Sequence, residues 1–305
     1  MSLPLDHASR MERTLLALDG LSIGDAFGER FFGDPDRIAR CIENRIVPKA
    51  PWETTDDTAM ALGVVEVLRE CGTIVQDKLA GVFARRYAAD PNRGYGGGAH
   101  GILQDIGRGV PWRVTAGSVF GGSGSMGNGG AMRVAPLGAY FADDLDEVVR
   151  QAKASAEVTH AHPDGQAGAI AIAIAAAVAW RMGTGRQTRS GDDLLNAVFQ
   201  YTPDGPTKTV LELARRMQLI SDPRTAASVL GAGYRVISMD TVPFCVWCAA
   251  RHLDDYESAL WTTVTGLGDR DTTCAIVGGI VALSAGRNSI PPAWLEAREP
   301  LALDE

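Results

Sequence analysis

Apolar residues recur at three- and four-residue intervals almost from one end of this chain to the other, and that periodicity constrains the fold more than any other feature. Residues 58–69 place Met60, Val64, Val67 and Leu68 on one helical face, at i, i+4, i+7 and i+8. Residues 13–23 repeat the theme with Leu15, Leu18 and Leu21 between small residues, before a break expected at Gly24-Asp25-Ala26-Phe27-Gly28. Segments 79–89, 145–158, 166–180, 192–199, 207–220, 225–237, 242–251, 254–265 and 272–285 read as helices in the same way. Alternating β-branched runs bounded by turns are nearly absent; residues 114–120 are the best strand candidate and a poor one. The fold class that follows is all-α, a multi-helix bundle. No constant-period repeat, linker or low-complexity tract divides residues 1–305, so one domain is expected.

Charge and cysteine usage exclude several function classes. Lys and Arg number 29 against 37 Asp and Glu, a net charge of −8. Such a chain gains no counterion-release energy on nucleic acid and is repelled by anionic lipid. Residues 165–180 are membrane-like in composition. They fall short of the roughly 20 residues a span needs, and a buried core helix is the better reading. The five cysteines form an odd, sparse set rather than a disulfide framework. Asp6 and Glu12 interrupt the stretch where a signal peptide would be apolar. A soluble, monomeric, cytoplasmic protein is the expectation.

Two acidic clusters stand directly ahead of apolar helices: Thr54-Thr55-Asp56-Asp57-Thr58 and Gly268-Asp269-Arg270-Asp271-Thr272-Thr273. Either alone reads as a helix N-cap, where Asp and Thr accept from free amides. Capping needs one side-chain oxygen, however, not adjacent carboxylates with flanking hydroxyls. If the two helix starts converge, they pool four carboxylates, tolerable only with cations or protons between them. Donors that are all hard oxygens select Mg²⁺, or Mn²⁺ as a substitute, over zinc. Asp56, Asp57, Asp269 and Asp271 can then hold two ions about 3.5–4 Å apart, with Thr55 and Thr272 hydroxyls completing the shells. Spacing alone does not force the clusters together.

Other motifs are weaker. Gly122, Gly124 and Gly127 make a G-x-G-x-x-G pattern with Asp143 and Asp144 downstream, but no strand precedes it and no βαβ alternation surrounds it. What survives is bare backbone that can approach phosphate oxygens, or a tight turn with close packing. Arg93-Gly94-Tyr95-Gly96-Gly97-Gly98 is a second glycine-rich, aromatic-bearing loop that either closes over a nucleotide or merely connects helices. His160 and His162 lack further zinc ligands, and Cys245 and Cys248 lie in an apolar run without a second CxxC, which suits core residues.

Taken in order, GDAFG (24–28), TTDDTAM (54–60), RGYGGG (93–98), GSMGNGGAMR (124–133), VTHAH (158–162) and GDRDTT (268–273) resemble the ADP-ribosylglycohydrolase family. That family includes the dinitrogenase-reductase-activating glycohydrolases and the eukaryotic ADP-ribosyl-acceptor hydrolases. The resemblance runs from about residue 15 to about 290, and the two loops look closest to the branch that removes serine-linked ADP-ribose. It implies a compact orthogonal all-α fold with a binuclear Mg²⁺ centre where helix N-termini converge. The implied metal ligands are Thr55, Asp56, Asp57, Asp269, Asp271 and Thr272. The implied pyrophosphate loop is Gly124, Ser125, Met126, Gly127 and Asn128, with His160 near the distal ribose. Asp25 would orient a ligand or its water from behind, and Phe120 and Gly96 are the remaining candidate substrate contacts.

Two departures from the family pattern stand out. Leu267 and Arg270 intrude on the second metal motif, and Arg270 brings positive charge beside the cations unless it points outward. A glutamate used in catalysis by several members, about four residues past the first motif, is here Phe32; the nearest is Glu29. Glu29, Asp57 and Asp271 are therefore the candidate catalytic carboxylates, with Glu29 equally readable as a solvated helix-end charge. The function implied is Mg²⁺-dependent hydrolysis at C1 of the distal ribose of an ADP-ribosyl group on a protein or small molecule. Two rivals are a non-catalytic ADP-ribose-binding relative and a di-metal phosphohydrolase acting on the diphosphate.

Overall fold

A computed structural model describes residues 3–302, and those residues form sixteen α-helices with no strand. They run α1 (His7–Glu29), α2 (Pro35–Glu43), α3 (Asp56–Cys71), α4 (Gln76–Ala89), α5 (Gly97–Gly107), α6 (Trp112–Ser118), α7 (Ala135–Tyr140) and α8 (Leu145–Glu157). Then follow α9 (Pro163–Gly183), α10 (Gly191–Tyr201), α11 (Pro206–Arg216), α12 (Pro223–Leu230), α13 (Ser238–Arg251), α14 (Tyr256–Val264), α15 (Arg270–Ala285) and α16 (Pro292–Ala297). Side chains cap many of the starts: Asp34, Thr55, Asp144, Ser190, Asp222 and Asp255 each accept from an amide in the first turn.

The apolar stretch at 165–180 lies in α9, which packs against α7, α8, α10, α13 and α15 and is buried on every face. Its Ala-rich composition serves that position, because small side chains let surrounding helices approach closely.

The most extensive helix pairing is α1 against α15, and a glycine ridge sets its distance. Gly20, Gly24 and Gly28 recur at four-residue spacing and share one face of α1. A Cβ at Gly24 would stand 2.1 Å from the Cys274 carbonyl oxygen, and one at Gly28 2.2 Å from that of Arg270. The break expected at 24–28 is therefore absent: α1 continues to Glu29, because these glycines admit a neighbouring backbone instead of ending the helix. The strand considered at 114–120 is also overturned; α6 occupies most of it, with the Trp112 indole donating to Asp77 Oδ1 at 2.7 Å. The helix expected over 225–237 stops at Leu230, where Gly231 takes φ +82° and Asp240 Oδ2 accepts from the Arg235 amide at 2.7 Å. Likewise the helix expected over 207–220 ends at Arg216.

Candidate active site

Three helix segments converge on one point: the last turns of α1, the start of α3 and the start of α15. The α1–α15 ridge brings Asp25 and Asp271 to the same level, and Asp25 then recruits α3. Its Oδ2 accepts from the Thr55 amide at 2.9 Å, the Thr58 amide at 3.1 Å and the Thr58 hydroxyl at 2.5 Å; its Oδ1 accepts from the Thr55 hydroxyl at 2.8 Å. Asp25 is fully buried. Thr272 Oγ1 reaches Asp57 Oδ2 at 3.3 Å, joining α15 directly to α3. The two acidic motifs, more than two hundred residues apart in the chain, thus meet in space.

Asp25, Asp57 and Asp271 each offer one carboxylate oxygen, all within 4.8 Å of one another, a set able to hold a metal ion. Asp57 Oδ1 and Asp271 Oδ1 are buried and have no hydrogen-bond partner. Two orphaned carboxylate oxygens among like charges are what a divalent cation would satisfy. Asp56 and Asp269 stand around this triad. Asp269 Oδ2 accepts from Asn128 Nδ2 at 2.7 Å, and the Asp56 amide donates to the Arg93 carbonyl at 2.7 Å.

Burial and mutual repulsion dominate the electrostatics. Burial, and then Asp271, push the Asp25 and Asp269 carboxyls up to about 7. Burial first, then Asp25 and Asp271, hold Asp56 and Asp57 well above the usual carboxylate range. Without a cation the cluster therefore retains protons at neutral pH.

The glycine-rich loop forms an adjoining wall. Met126 O accepts from the Ser238 amide at 3.0 Å and the Asn128 amide donates to Val236 O at 3.2 Å, strapping the loop to the start of α13. Gly124, at φ +74°, presses its α-carbon against Ala161 and His162, where a Cβ would stand 2.6 Å from the His162 amide. Ser125 Oγ accepts from the Gly127 amide at 3.1 Å. Asn128 is buried, and its side-chain amide is used on Asp269 and Thr241. Met126 and Phe120 are exposed, Phe120 by 65%. Phe120 also lies beside Gly98, so the two glycine-rich loops are neighbours, and Gly94 in turn approaches Asp56. Gly96 is exposed at the N-cap of α5. His160 is buried beneath Gly127 and Gly129, and burial pushes its imidazole down to about 3, leaving it neutral.

Glu29 lies one helical turn beyond Asp25, on the same side of α1. It is exposed at the rim, yet desolvation and then the charge on Asp271 raise its carboxyl. Arg270 does point outward. Its guanidinium lies 4.3 Å from the Phe32 ring centre and donates to the Phe31 carbonyl at 2.5 Å and that of Gly268 at 3.0 Å. The two departures from the family pattern therefore touch each other.

Sequence reasoning did not single out Glu299, whose carboxylate accepts from the Thr54 amide at 2.8 Å, the Thr54 hydroxyl at 2.5 Å and the Arg93 guanidinium. Nor did it single out the buried Arg133, or Tyr234 and Val236, exposed on the segment that the glycine loop is strapped to. No local signal marks these residues, since their partners are distant in the chain. His162 caps α9 through Nδ1, and Cys245 and Cys248 are buried thiols that burial pushes up, as core residues should be.

The family profile described as ADP-ribosylglycohydrolase matches residues 6–304. The enzyme class is thus a glycosidic-bond hydrolase. The chain belongs to the ADP-ribosylglycohydrolase family. It is 28% identical over 277 residues to the ADP-ribosylhydrolase ARH3 of Homo sapiens, covering 80% of this chain and 74% of that protein. It is 29% identical over 273 residues to the protein of the same name from Gallus gallus, covering 80% and 73%. An uncharacterized protein of Archaeoglobus fulgidus is 30% identical over 287 residues, covering 91% and 88%. A solved structure titled ADP-ribosylglycohydrolase-related protein complex superposes with a TM-score of 0.64 at 21% identity, over 96% of this chain and 94% of the other, and shares the fold.

Proposed function

We propose that this protein is a Mg²⁺-dependent hydrolase that cleaves the bond at C1 of the distal ribose of an ADP-ribosyl group, leaving ADP-ribose and the freed acceptor. The observation that carries the reading is the pair of buried, unpartnered oxygens on Asp57 and Asp271 at the meeting of α3 and α15. Asp56, Asp57, Asp269 and Asp271, with Thr55 and Thr272 hydroxyls and Asp25 behind them, are the residues that would hold two Mg²⁺ ions, or Mn²⁺ in their place. Bound there, divalent cations supply orientation of the ribose hydroxyls and acidification of the attacking water.

The chain's own residues supply the rest. Asn128 holds Asp269 in place, while the loop at Gly124, Ser125, Met126 and Gly127, with the Gly124 and Gly127 amides tied to Val119 O and Ser125 Oγ, offers the Ser125 and Met126 amides to the diphosphate. Phe120 and Met126 present apolar surface to the base, beside Gly96 and the neighbouring glycines. Positive charge building on the ribose ring faces a negative cluster, the arrangement an oxocarbenium-like transition state requires. Glu29, at the rim and with a raised carboxyl, is the proton acceptor.

The test is thermal unfolding with and without Mg²⁺. Wild type should be stabilised at millimolar Mg²⁺; Asp57→Ala and Asp271→Ala should fold but lose that response. A wild type indifferent to metal sinks the two-ion reading. Product analysis decides the chemistry: ADP-ribose marks glycohydrolysis, AMP plus ribose phosphate marks phosphohydrolysis, and binding without product marks a non-catalytic relative. A panel of serine, arginine, nucleobase and acetyl-ester linkages identifies the acceptor. We place the protein in the cytoplasm as a single-domain monomer, checked by fractionation and by light scattering.

A further inference from the structure

Behind the glycine-rich loop three buried side chains form a hydrogen-bonded line. Arg133, fully buried against the Phe83 ring at 4.5 Å, donates from Nη2 to the Ser155 carbonyl at 3.0 Å and to Thr159 Oγ1 at 2.8 Å. Thr159 Oγ1 is in turn 2.8 Å from His160 Nδ1. Among the described residues, Arg133 and His160 are the hydrogen-bond partners of that hydroxyl, and Nε2 of His160 has none.

The chemistry of the groups orders the protons along this line. A guanidinium can only donate, so its bond to Thr159 occupies a lone pair of the hydroxyl. The hydroxyl has one proton, and its remaining partner is His160 Nδ1. If Nδ1 carried a proton instead, Thr159 would accept twice and leave its own buried hydrogen without an acceptor, at the cost of an unsatisfied polar group. With Nδ1 accepting, a neutral imidazole must carry its proton on Nε2. Nε2 lies directly beneath the loop: a Cβ at Gly127 would be 3.2 Å from it, and one at Gly129 3.3 Å.

From this geometry we infer that Arg133 and Thr159 are positioning residues that fix His160 as its Nε2–H tautomer. The site thereby presents one neutral donor, aimed past the two glycines, to an oxygen lone pair of the bound substrate. This rests on the proposed ADP-ribose reading for the identity of that oxygen, a ribose hydroxyl or a phosphate. It does not rest on it for the tautomer, which belongs to the free protein. A neutral donor suits a site beside an acidic cluster, because it binds oxygen without adding a charge that would compete with a cation. Burial of the ring keeps it neutral over the working pH range.

The experiment is long-range ¹⁵N–¹H correlation of the histidine side chains in ligand-free protein near neutral pH, with His160 assigned by loss of its signals in His160→Gln. The expected result is a protonated Nε2 and an unprotonated Nδ1. Thr159→Val should yield a mixture of tautomers, and Thr159→Ser should restore the wild-type pattern. ADP-ribose affinity should fall about 3–10-fold in Thr159→Val and recover in Thr159→Ser, the factor expected for one neutral hydrogen bond. Titration with ADP separates the oxygens: a fall for ADP-ribose alone marks a hydroxyl of the distal ribose, and an equal fall for ADP marks a phosphate. A wild-type His160 protonated on Nδ1 overturns the inference, as does a Thr159→Val spectrum identical to wild type. Should the valine variant fail to fold, the wild-type spectrum and Thr159→Ser still decide. If ADP-ribose does not bind at all, the functional reading fails while the tautomer measurement stands on its own.

Discussion

Adding a single methyl group at Gly24 tests whether the glycine ridge assembles the site. In Gly24→Ala the new Cβ would meet the Cys274 carbonyl oxygen at 2.1 Å and its carbon at 2.6 Å, both backbone atoms of α15 that cannot rotate away. Restoring ordinary contact requires α1 and α15 to part locally by about 1 Å, since carbon–carbon contacts are optimal near 3.5–4.0 Å. Overpacking of this kind costs about 1–3 kcal/mol, against which alanine returns about 1 kcal/mol of helix propensity. The net cost is about 0–2 kcal/mol, and at about 2 °C per kcal/mol for a chain this long the melting temperature should fall by no more than about 4 °C. The consequence for metal should be much larger. Mg²⁺ demands oxygens at about 2.0–2.1 Å with a tolerance near 0.2 Å, and the parted helices carry Asp25 and Asp271. Wild type held at 100 times its dissociation constant for Mg²⁺ should gain about 2.7 kcal/mol, or about 5 °C, and Gly24→Ala should gain almost none. The control is Gly81→Ala, on an α4 face with nothing within 4 Å of the added carbon, where stability should hold or rise and the metal response persist. A folded Gly24→Ala that keeps the full Mg²⁺-dependent rise would refute the idea that this ridge sets the site's geometry.

Three further outcomes are expected. Asp25 and Asp269 have carboxyls raised from 3.8 to about 7, so across that window the folded metal-free protein holds protons that the unfolded chain has released. Its stability therefore falls as pH rises through the window, while Mg²⁺, which needs the ionised form, stabilises more; melting curves with and without Mg²⁺ from about pH 5 to 8 should diverge, and a constant gap would contradict this. Phe120→Ala removes a ring that is 65% exposed, so the melting temperature should stay put while ADP-ribose affinity, read by calorimetry, drops about 3–10-fold. Glu299→Gln keeps the shape but removes the charge that binds Thr54 and Arg93. It should cost about 1.5–3 kcal/mol and weaken Mg²⁺ binding, because the same two residues support the start of α3; an unchanged melting curve would deny the C-terminal segment that role.

Much of this architecture is legible in the residues before any coordinates. The period of Met60, Val64, Val67 and Leu68 specifies a helix because side chains four residues apart must share a face, wherever that face is later buried. The Thr55 and Asp271 segments announce themselves because carboxylates crowded at helix starts need an explanation beyond capping. The glycine ridge misleads for an equally physical reason: Gly24 and Gly28 carry low helix propensity, and the compensation, close approach of α15, lies some 250 residues away in the chain. Segment 225–237 misleads because Asp240 closes a loop that helical periodicity cannot anticipate.

Local spacing and residue chemistry, then, determined that the chain is helical and that its oxygen-rich motifs are suited to a hard cation. Only the packed structure decided that Asp25 joins Asp57 and Asp271, that the Asn128 side chain donates to Asp269, and that Arg270 turns onto Phe32. Periodicity is a property of neighbours along a chain, whereas a carboxylate's protonation and a hydroxyl's direction depend on which distant groups share its low-dielectric surroundings.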